Sequence, residues 1–284
     1  MATFYNQATL TYNGATRSSN LVSGELLETL VMTKSSTEET YITGSEITYA
    51  VSLINTGTTP FDGITITDDL GAYTLEALTL RPLDYVDGTL LYYINGALAP
   101  TPTVSTDTGD LVISGINVPA GGNAMLIYVA RANNYAPPTT GSTVVNTATA
   151  TGGGLTPVSA SHTLNAAGEA ELSVVKSVNP QTVSENGSVT YTFTVYNIGN
   201  TETSVEGNPV ITDTFDPVLS NITVTLDGAA LAQGTGYSYN GTTGVFSTAD
   251  GVITVPAATF TQDQTTGEWT TAPGTAILTV SGTV

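Results

Sequence analysis

"LVMTKSSTEETYITGSEITYAVSLINTGTTPFDGITITDDL", residues 30–70, decides the fold, because most of its pattern occurs a second time in the chain. The matching stretch is "LSVVKSVNPQTVSENGSVTYTFTVYNIGNTETSVEGNPVITDTF", residues 172–215. Lys34 matches Lys176, and further on Asp68 matches Asp213. An internal repeat of this length indicates two domains of one family.

The pattern within each repeat is typical of β-strands. Apolar and polar residues alternate with a period of two, and Thr, Val, Gly, Asn and Ser are abundant. Eight Asn-Gly or Asp-Gly pairs, which favour tight turns, separate the alternating runs. We therefore predict an all-β protein of two tandem immunoglobulin-like β-sandwich domains. The absence of cysteine excludes the disulfide that marks antibody-type domains.

A third match is out of phase with the repeat. "YNQATLTYNG" at residues 5–14 is a near copy of "VNTATATGGG" at residues 145–154, so that Asn6 matches Asn146. The first domain thus has a strand near its end whose equivalent in the second domain would lie beyond Val284. We predict that the second domain lacks its last strand and that the N-terminus carries a spare one. The predicted boundaries are a donor strand and linker arm at 1–24, a first sandwich at 25–160 and an incomplete second sandwich at 161–284.

A sandwich without its last strand leaves unpaired backbone groups beside an open apolar core. The N-terminal strand could close the second domain of its own chain, giving a monomer, or enter that of the next chain. The second arrangement is donor-strand complementation, which propagates head to tail into a homopolymer. The short polar arm at 14–24 favours the neighbouring chain as the partner. The predicted donor residues are Tyr5, Asn6, Gln7, Ala8, Thr9, Leu10, Thr11 and Tyr12.

The lysines suggest covalent chemistry. The chain has only two, and both occupy the same position in the repeat. A lysine held in an apolar core is more easily deprotonated and becomes a nucleophile, an asparagine carboxamide is an electrophile, and a buried aspartate can shuttle protons. Such a triad forms an isopeptide bond in a single self-catalysed event. The alternative is that each lysine makes a structural salt bridge to its aspartate.

The same chemistry is predicted at two sites. Lys34, Asp68 and Asn146 form the intramolecular set, with Asp68 as the proton shuttle. In the second domain Lys176 and Asp213 have no local asparagine, so Asn6 of the donor strand supplies it and the bond becomes intermolecular. The fibre would then be a covalent chain.

Composition argues against several other functions. The net charge of −19 makes nucleic acid and anionic lipid poor partners. With no cysteine and His162 as the single histidine, thiolate and multi-histidine metal sites and histidine triads are excluded, and His162 is expected in an interdomain linker. No transmembrane run, signal-peptide pattern or nucleotide-binding glycine motif occurs, so we expect no cofactor, no metal site and no membrane insertion. The acidic surface is expected to serve solubility; loops such as "DTFDP" could supply oxygens to calcium, but no spaced calcium-binding loop is present.

Two other functions compete with a fibre subunit. The tyrosine-rich stretch "RPLDYVDGTLLYYING" at 81–96 could be the contact surface of a monomeric adhesin or binding module, although Tyr85, Tyr92 and Tyr93 are expected to cover the sandwich. A hydrolase with Asp68 and Asp69 as paired acids is disfavoured, because adjacent strand residues point to opposite faces. We therefore expect no enzyme.

The motifs "LSVVKSVNP", "VTYTFTVYNIGN", "VITDTFDP" and "VVNTATAT" resemble a conserved-repeat domain of unknown function, the eleventh family of that series, found in surface proteins of bacteria and archaea. The N-terminal "MATFYNQATLTYNG" is similar to members without a signal peptide from spore-forming Firmicutes. The lysine, aspartate and asparagine pattern is similar to that of isopeptide-forming domains in Gram-positive pilins and adhesins. The resemblance implies a β-sandwich subunit of a pilus-like fibre or spore appendage at the cell or spore surface, outside the cell.

Overall fold

The computed structural model describes residues 2–26, 29–203 and 207–284, and the elements that run through them are β-strands. The first eighteen are β1 (Ala2–Asn6), β2 (Thr9–Tyr12), β3 (Ala15–Ser18), β4 (Val22–Leu26), β5 (Leu30–Ser36), β6 (Thr40–Tyr41), β7 (Glu46–Asn55), β8 (Phe61–Asp68), β9 (Tyr73–Leu75), β10 (Leu78–Leu80), β11 (Leu83–Tyr85), β12 (Leu91–Ile94), β13 (Ala97–Leu98), β14 (Thr103–Ser105), β15 (Leu111–Val118), β16 (Asn123–Ala132), β17 (Thr143–Gly152) and β18 (Val158–Ala166). The others are β19 (Leu172–Asn179), β20 (Ser188–Asn197), β21 (Thr212–Thr214), β22 (Ser220–Leu226), β23 (Ala229–Ala230), β24 (Tyr237–Tyr239), β25 (Val245–Thr248), β26 (Thr259–Gln262), β27 (Trp269–Ala272) and β28 (Gly274–Thr283).

The chain divides into two compact units. The first comprises Met1–Ala136 and Val144–Leu164, and the second comprises Pro137–Thr143 and Asn165–Val284. The predicted class, all-β with sandwich domains, is confirmed. The boundary predicted after residue 160 falls inside β18, which is hydrogen-bonded to β17 in a sheet of the first unit.

Two six-stranded sheets build the first unit. One has the order β13-β12-β16-β7-β5, with β11 also paired to β16, and the other has the order β14-β15-β8-β17-β18-β6. In immunoglobulin terms β5, β7, β16 and β12 take the places of strands A, B, E and D, and β8, β17 and β18 take those of C, F and G. The strand that holds Asn146 is therefore followed by one more strand, β18, at the end of the domain.

The core of the first unit follows from the alternation in its long strands. On β7, Ile47, Tyr49, Val51 and Leu53 are fully buried, while the residues between them are not. Because successive side chains of a strand point to opposite faces, these residues line the inner face of their sheet. β16 pairs with β7 along its length and has the same alternation. β-Branched, aromatic and leucine side chains therefore fill the space between the sheets.

The second unit repeats this plan in part. Its sheet β19-β20-β28-β22-β23 has the order of β5-β7-β16-β12-β13, and its sheet β21-β25-β24 has the order of β8-β15-β14. The pairing register agrees as well. Tyr191, which matches Tyr49, lies opposite Val280, and Tyr49 lies opposite Tyr128, which matches Val280. Among the residues that the structure describes, this unit has no counterpart of β6, β17 and β18. One missing strand was predicted, whereas two adjacent long strands lack counterparts.

The N-terminal segment is a hairpin. β1 pairs with β4 and β2 pairs with β3, with Asn6 opposite Val22 and Tyr12 opposite Ala15. The two residues of its turn, Asn13 and Gly14, both have positive φ, as the turn that suits the twist of a hairpin requires. The predicted donor strand is therefore one arm of a hairpin that already has a second arm.

His162 does not lie in a linker, as the sequence had suggested. It lies in β18, where its ring packs edge-on against Tyr49 with the ring centroids 6.2 Å apart. The linker expectation was wrong because the polar residues around His162 are those of a strand with one exposed face. Ser159 and Ser161, on the exposed side, bond to threonines of β17.

Candidate functional site

Lys34 crosses the core of the first unit from one sheet to the other. It lies on β5, and its Nζ atom is 2.5 Å from Oδ2 of Asp68 at the end of β8. The side chains of both residues are almost completely buried, at 0% and 1% exposure. Nζ also lies 4.8 Å from the centroid of the Tyr49 ring, where a cation is attracted to the aromatic face.

Asp68 is held by three donors. Besides Lys34, the Tyr128 hydroxyl donates a short hydrogen bond to Oδ2, and the backbone N–H of Leu70 donates to Oδ1 at 3.1 Å. A carboxylate buried this deeply needs such partners, since an unpaired buried charge is strongly destabilising. The contacts fix Oδ2 beside the lysine amine.

Asn146 faces the same part of the core. Asp68 lies directly opposite Ala148 in the β8–β17 ladder, so that Asn146, two residues from Ala148 on the same face of β17, is a diagonal neighbour of Asp68. Its side chain is fully buried, and neither its amide nitrogen nor its oxygen has a hydrogen bond of normal geometry. Most buried polar groups are paired, so an orphaned carboxamide requires an explanation.

Two tyrosine hydroxyls surround this carboxamide. Burial raises the pKa of Tyr49 and of Tyr128 well above the ordinary value, whereas Asn146 has the opposite effect and lowers both. Asn146 thus lies near both hydroxyls without a regular hydrogen bond to either. Both hydroxyls stay protonated, so the region around the carboxamide contains neutral donors.

The buried position changes the acidity of Lys34. Desolvation lowers the pKa of its amine below the ordinary value of 10.5, and this effect outweighs the attraction of Asp68 and Asp69, which raises it. A lowered pKa increases the fraction of neutral amine, the form that can attack a carbonyl carbon. The first unit therefore combines a nucleophile, a carboxylate and an unsatisfied carboxamide in one dry cluster.

The second unit holds two of these three groups. Lys176 contacts Oδ2 of Asp213, and its Nζ lies 4.8 Å from the Tyr191 ring centroid, the same distance as between Lys34 and Tyr49. This pair is much less buried, however, because the Lys176 side chain is 42% exposed and that of Asp213 is 18% exposed. The place of Asn146 has no counterpart among the described residues of this unit, because it would lie on the missing equivalent of β17.

Asn6, the third predicted partner of Lys176, lies in the exposed N-terminal hairpin. It is the last residue of β1, and Tyr5 to Tyr12 are all exposed. The structure thus brings Lys34, Asp68 and Asn146 together as one cluster and Lys176 and Asp213 as another. Sequence reasoning missed Tyr128, whose equivalent is Val280, so the repeat gave no signal for it.

Other candidate features have structural roles. Tyr92 is buried, and its hydroxyl donates to the carbonyl of Asn117 and accepts from its N–H, while Tyr85 packs edge-on against Tyr128.

Among the residues that the structure describes, no group of three or more metal-ligating side chains occurs. Nor do these residues include a helix with the length and apolar character needed to cross a membrane.

Comparisons with known proteins give no family assignment. No protein-family model and no curated protein matches the sequence. Among solved structures, the chain is similar to BcpA(D312A), the major pilin subunit of Bacillus cereus, with 10% identity, a TM-score of 0.38, and coverage of 96% of this chain and 73% of that chain.

Two further solved structures are similar at the same level. For the pilus backbone RrgB of Streptococcus pneumoniae the identity is 10%, the TM-score is 0.34, and the match covers 86% of this chain and 55% of that chain. For AvmM, which catalyses macrocyclization in alchivemycin A biosynthesis, the identity is 11%, the TM-score is 0.30, and coverage is 56% and 95%. Pilins and an enzyme both occur at these low scores, so we base function on the contacts of the chain itself.

Proposed function

We propose that this protein is the structural subunit of a self-assembling fibre on a cell or spore surface, polymerised head to tail by donor-strand complementation and joined by isopeptide bonds. The observation that carries the proposal is that the second unit leaves exposed a part of its core that the first unit buries. Leu172 and Val174 on β19 are 39% and 58% exposed, whereas their counterparts Leu30 and Met32 on β5 are 9% and 7% exposed. The first unit buries these positions, and the second leaves them open.

The N-terminal strand has side chains that match those of β17, the strand that the second unit lacks. On β17 the inner face presents Val144, Asn146, Ala148 and Ala150, all nearly inaccessible to solvent. The equivalent residues of the hairpin are Phe4, Asn6, Ala8 and Leu10. Phe4 and Leu10 are 58% and 68% exposed, and large apolar side chains on one face of an exposed strand indicate an interaction surface.

The order of strands along the chain favours a neighbouring copy as the acceptor. β17 and β18 complete a sheet of the unit that precedes them, and five residues, 167–171, then lead into β19 of the next unit. The N-terminal hairpin is likewise followed after residues 27–29 by β5. We propose that the hairpin, like β17 and β18, completes one unit and then leads into the next. The unit that it completes is the second unit of another copy. The contact is heterologous, so it repeats into a fibre.

The proposed bond needs no outside reagent. Neutral Nζ of lysine attacks Cγ of asparagine, a C–N bond forms, and the bond from Cγ to Nδ2 breaks. Nζ loses a proton, the aspartate carries it to the departing nitrogen, and ammonia leaves. In the first unit the participants are Lys34, Asp68 and Asn146.

Between subunits the participants are Lys176, Asp213 and the donor's Asn6. Insertion of the donor strand would cover the exposed Lys176–Asp213 pair, as β17 covers the matching pair in the first unit. Each bond forms once and is not turned over, so we propose a structural protein and not an enzyme.

The surface location follows from the proposed material. Covalent links between lysine and asparagine would give a cysteine-free fibre a strength that does not depend on redox conditions. The sequence motifs resemble the domain-of-unknown-function family of surface proteins, and we retain membership of that family as part of the proposal. A spore appendage fits the resemblance to members without a signal peptide.

A mixing experiment tests the proposed function. One chain lacks residues 2–26 but keeps Lys176, and the other carries Lys176→Ala but keeps its hairpin. We expect a heterodimer that survives boiling in detergent when the two are mixed, since only this combination pairs a free Asn6 with an open Lys176. Monomers in the boiled sample would refute the bond between Asn6 and Lys176. Monomers in the unboiled mixture as well would refute strand exchange between chains.

A further inference from the structure

We infer, as a refinement that rests on the proposed function, that the donated element is the whole hairpin β1–β4 and not a single strand. In this arrangement β1 and β2 take the place of β17 in the neighbouring copy, and β3 and β4 take the place of β18. The acceptor is a second copy of this chain, at the edge of β21 and at the segment around Thr182 and Val183. Two observations carry this inference.

The first observation is that the acceptor has a second vacant position. In the first unit, β18 is held on its far side by β6, and Tyr41 of β6 is only 2% exposed. The repeat places Thr182 and Val183 where β6 has Thr40 and Tyr41. These two residues are not in a strand, and Val183 is only half-buried. A single donor strand would leave this segment unpaired, because β6 pairs with β18 and not with β17.

The second observation is that the β1–β4 part of the hairpin has the pairing of β17 and β18. Hydroxyl contacts between Thr147 and Ser161 at 3.0 Å and between Thr149 and Ser159 at 2.8 Å set the register of that pair. In an antiparallel ladder this register places Asn146 opposite His162.

In the N-terminal hairpin, Asn6 lies opposite Val22, and the same sixteen positions separate the two partners in each case. A side-chain contact of the same kind joins the two arms, since the hydroxyls of Thr11 and Thr16 are 3.1 Å apart. The β1–β4 part of the hairpin therefore already has the register of β17 and β18, whereas the β2–β3 part is displaced by one residue, with Thr9 opposite Ser18. The hairpin could dock without separating its arms.

Docking as a hairpin has a structural consequence. The three-stranded sheet β21-β25-β24 would gain two long strands and the short strand at Thr182 and Val183, which would give it the six strands of the matching sheet in the first unit. The free backbone groups on the edges of β21 and of the hairpin would then be paired. Val22 of the donor would occupy the position that His162 holds in the first unit.

A disulfide lock distinguishes a hairpin donor from a strand donor. The chain has no cysteine, so the double substitution Thr11→Cys and Thr16→Cys introduces a single pair across the hairpin. The oxidised form cannot separate its arms, whereas the reduced form can. We expect both forms to assemble into fibres to the same extent. Loss of assembly only in the oxidised form, restored by a thiol reductant, would overturn the hairpin but leave strand donation intact.

Hydrogen exchange on the wild-type fibre keeps the inference testable if both cysteine forms fail to assemble. We expect loss of fast amide exchange in residues 15–18, 22–26 and 182–183 on passing from subunit to fibre. Protection confined to residues 2–12 would refute the hairpin. A wild-type protein that forms no fibre at all would instead refute the proposed function, and the refinement with it.

Discussion

The intramolecular bond makes a strong prediction about stability. Asn146→Ala removes the carboxamide and so prevents the bond, while the Lys34–Asp68 pair remains. The lost cross-link closes a loop of about 110 residues, for which the chain-entropy relation gives a loss of about 5 kcal/mol in the free energy of unfolding. For a domain of this size that corresponds to a fall in Tm of roughly 15 °C.

The assay is calorimetry on the chain without residues 2–26, which we expect to be monomeric. The matched control is Val144→Ala, which empties part of the same core face but leaves the bond, and should cost only about 2 kcal/mol. The single tryptophan, Trp269, lies in the second unit, so its fluorescence transition should not shift in either variant. Intact mass should show one ammonia fewer than the sequence in Val144→Ala but not in Asn146→Ala.

Equal losses of Tm in the two variants would refute the cross-link as the source of stability. An intact mass of the parent chain that matches its sequence would refute the bond itself.

Three further predictions follow from the exposed hairpin and the buried amine. Asn6→Ala should abolish detergent-resistant multimers, whereas Asn146→Ala should retain them; an unchanged set of multimers in Asn6→Ala would exclude Asn6 as the bonded residue. Leu10→Ser should weaken subunit association about tenfold to a hundredfold, because one buried leucine is lost. Tyr5→Ser should change association little, because its β17 equivalent, Val145, is half exposed. Sedimentation of dilution series measures both variants, and equal effects would contradict the assignment of Leu10 to the buried face of the donor strand. Because burial lowers the pKa of Lys34, ammonia loss after refolding should accelerate as pH rises toward that lowered pKa and level off above it, below 10.5. Mass spectra at timed intervals measure the rate, and a rise that continues through 10.5 would contradict the lowered pKa.

The sequence predicted the elements that the repeat makes visible. Lys34 and Asp68 were placed across the core from each other because their matched copies, Lys176 and Asp213, recur with the same strand pattern, and the contact is present in both units. Recurrence in both repeats does not distinguish a reactive residue from a structural one, however. Asn55 recurs as well, and its side chain simply donates to loop carbonyls such as that of Thr59.

The features that sequence reasoning missed depend on contacts between distant segments. Tyr128 could not be found from the repeat, because Val280 occupies its place in the second unit. The second arm of the hairpin was missed because residues 15–26 share only Thr16 and Ser19 with the equivalent stretch 155–166. Backbone pairing requires no particular side chains, so register carries this likeness where sequence does not.

The link between subunits can be examined in one gel. Purified protein is boiled in detergent beside the Lys176→Ala variant, and the multimers are digested for peptide mass spectrometry. We predict a ladder in the parent chain that is absent from the variant, with a peptide in which Asn6 is joined to Lys176 and one ammonia is missing. A single monomer band in the parent chain, or a ladder that persists in Lys176→Ala, would contradict a fibre joined through these two residues.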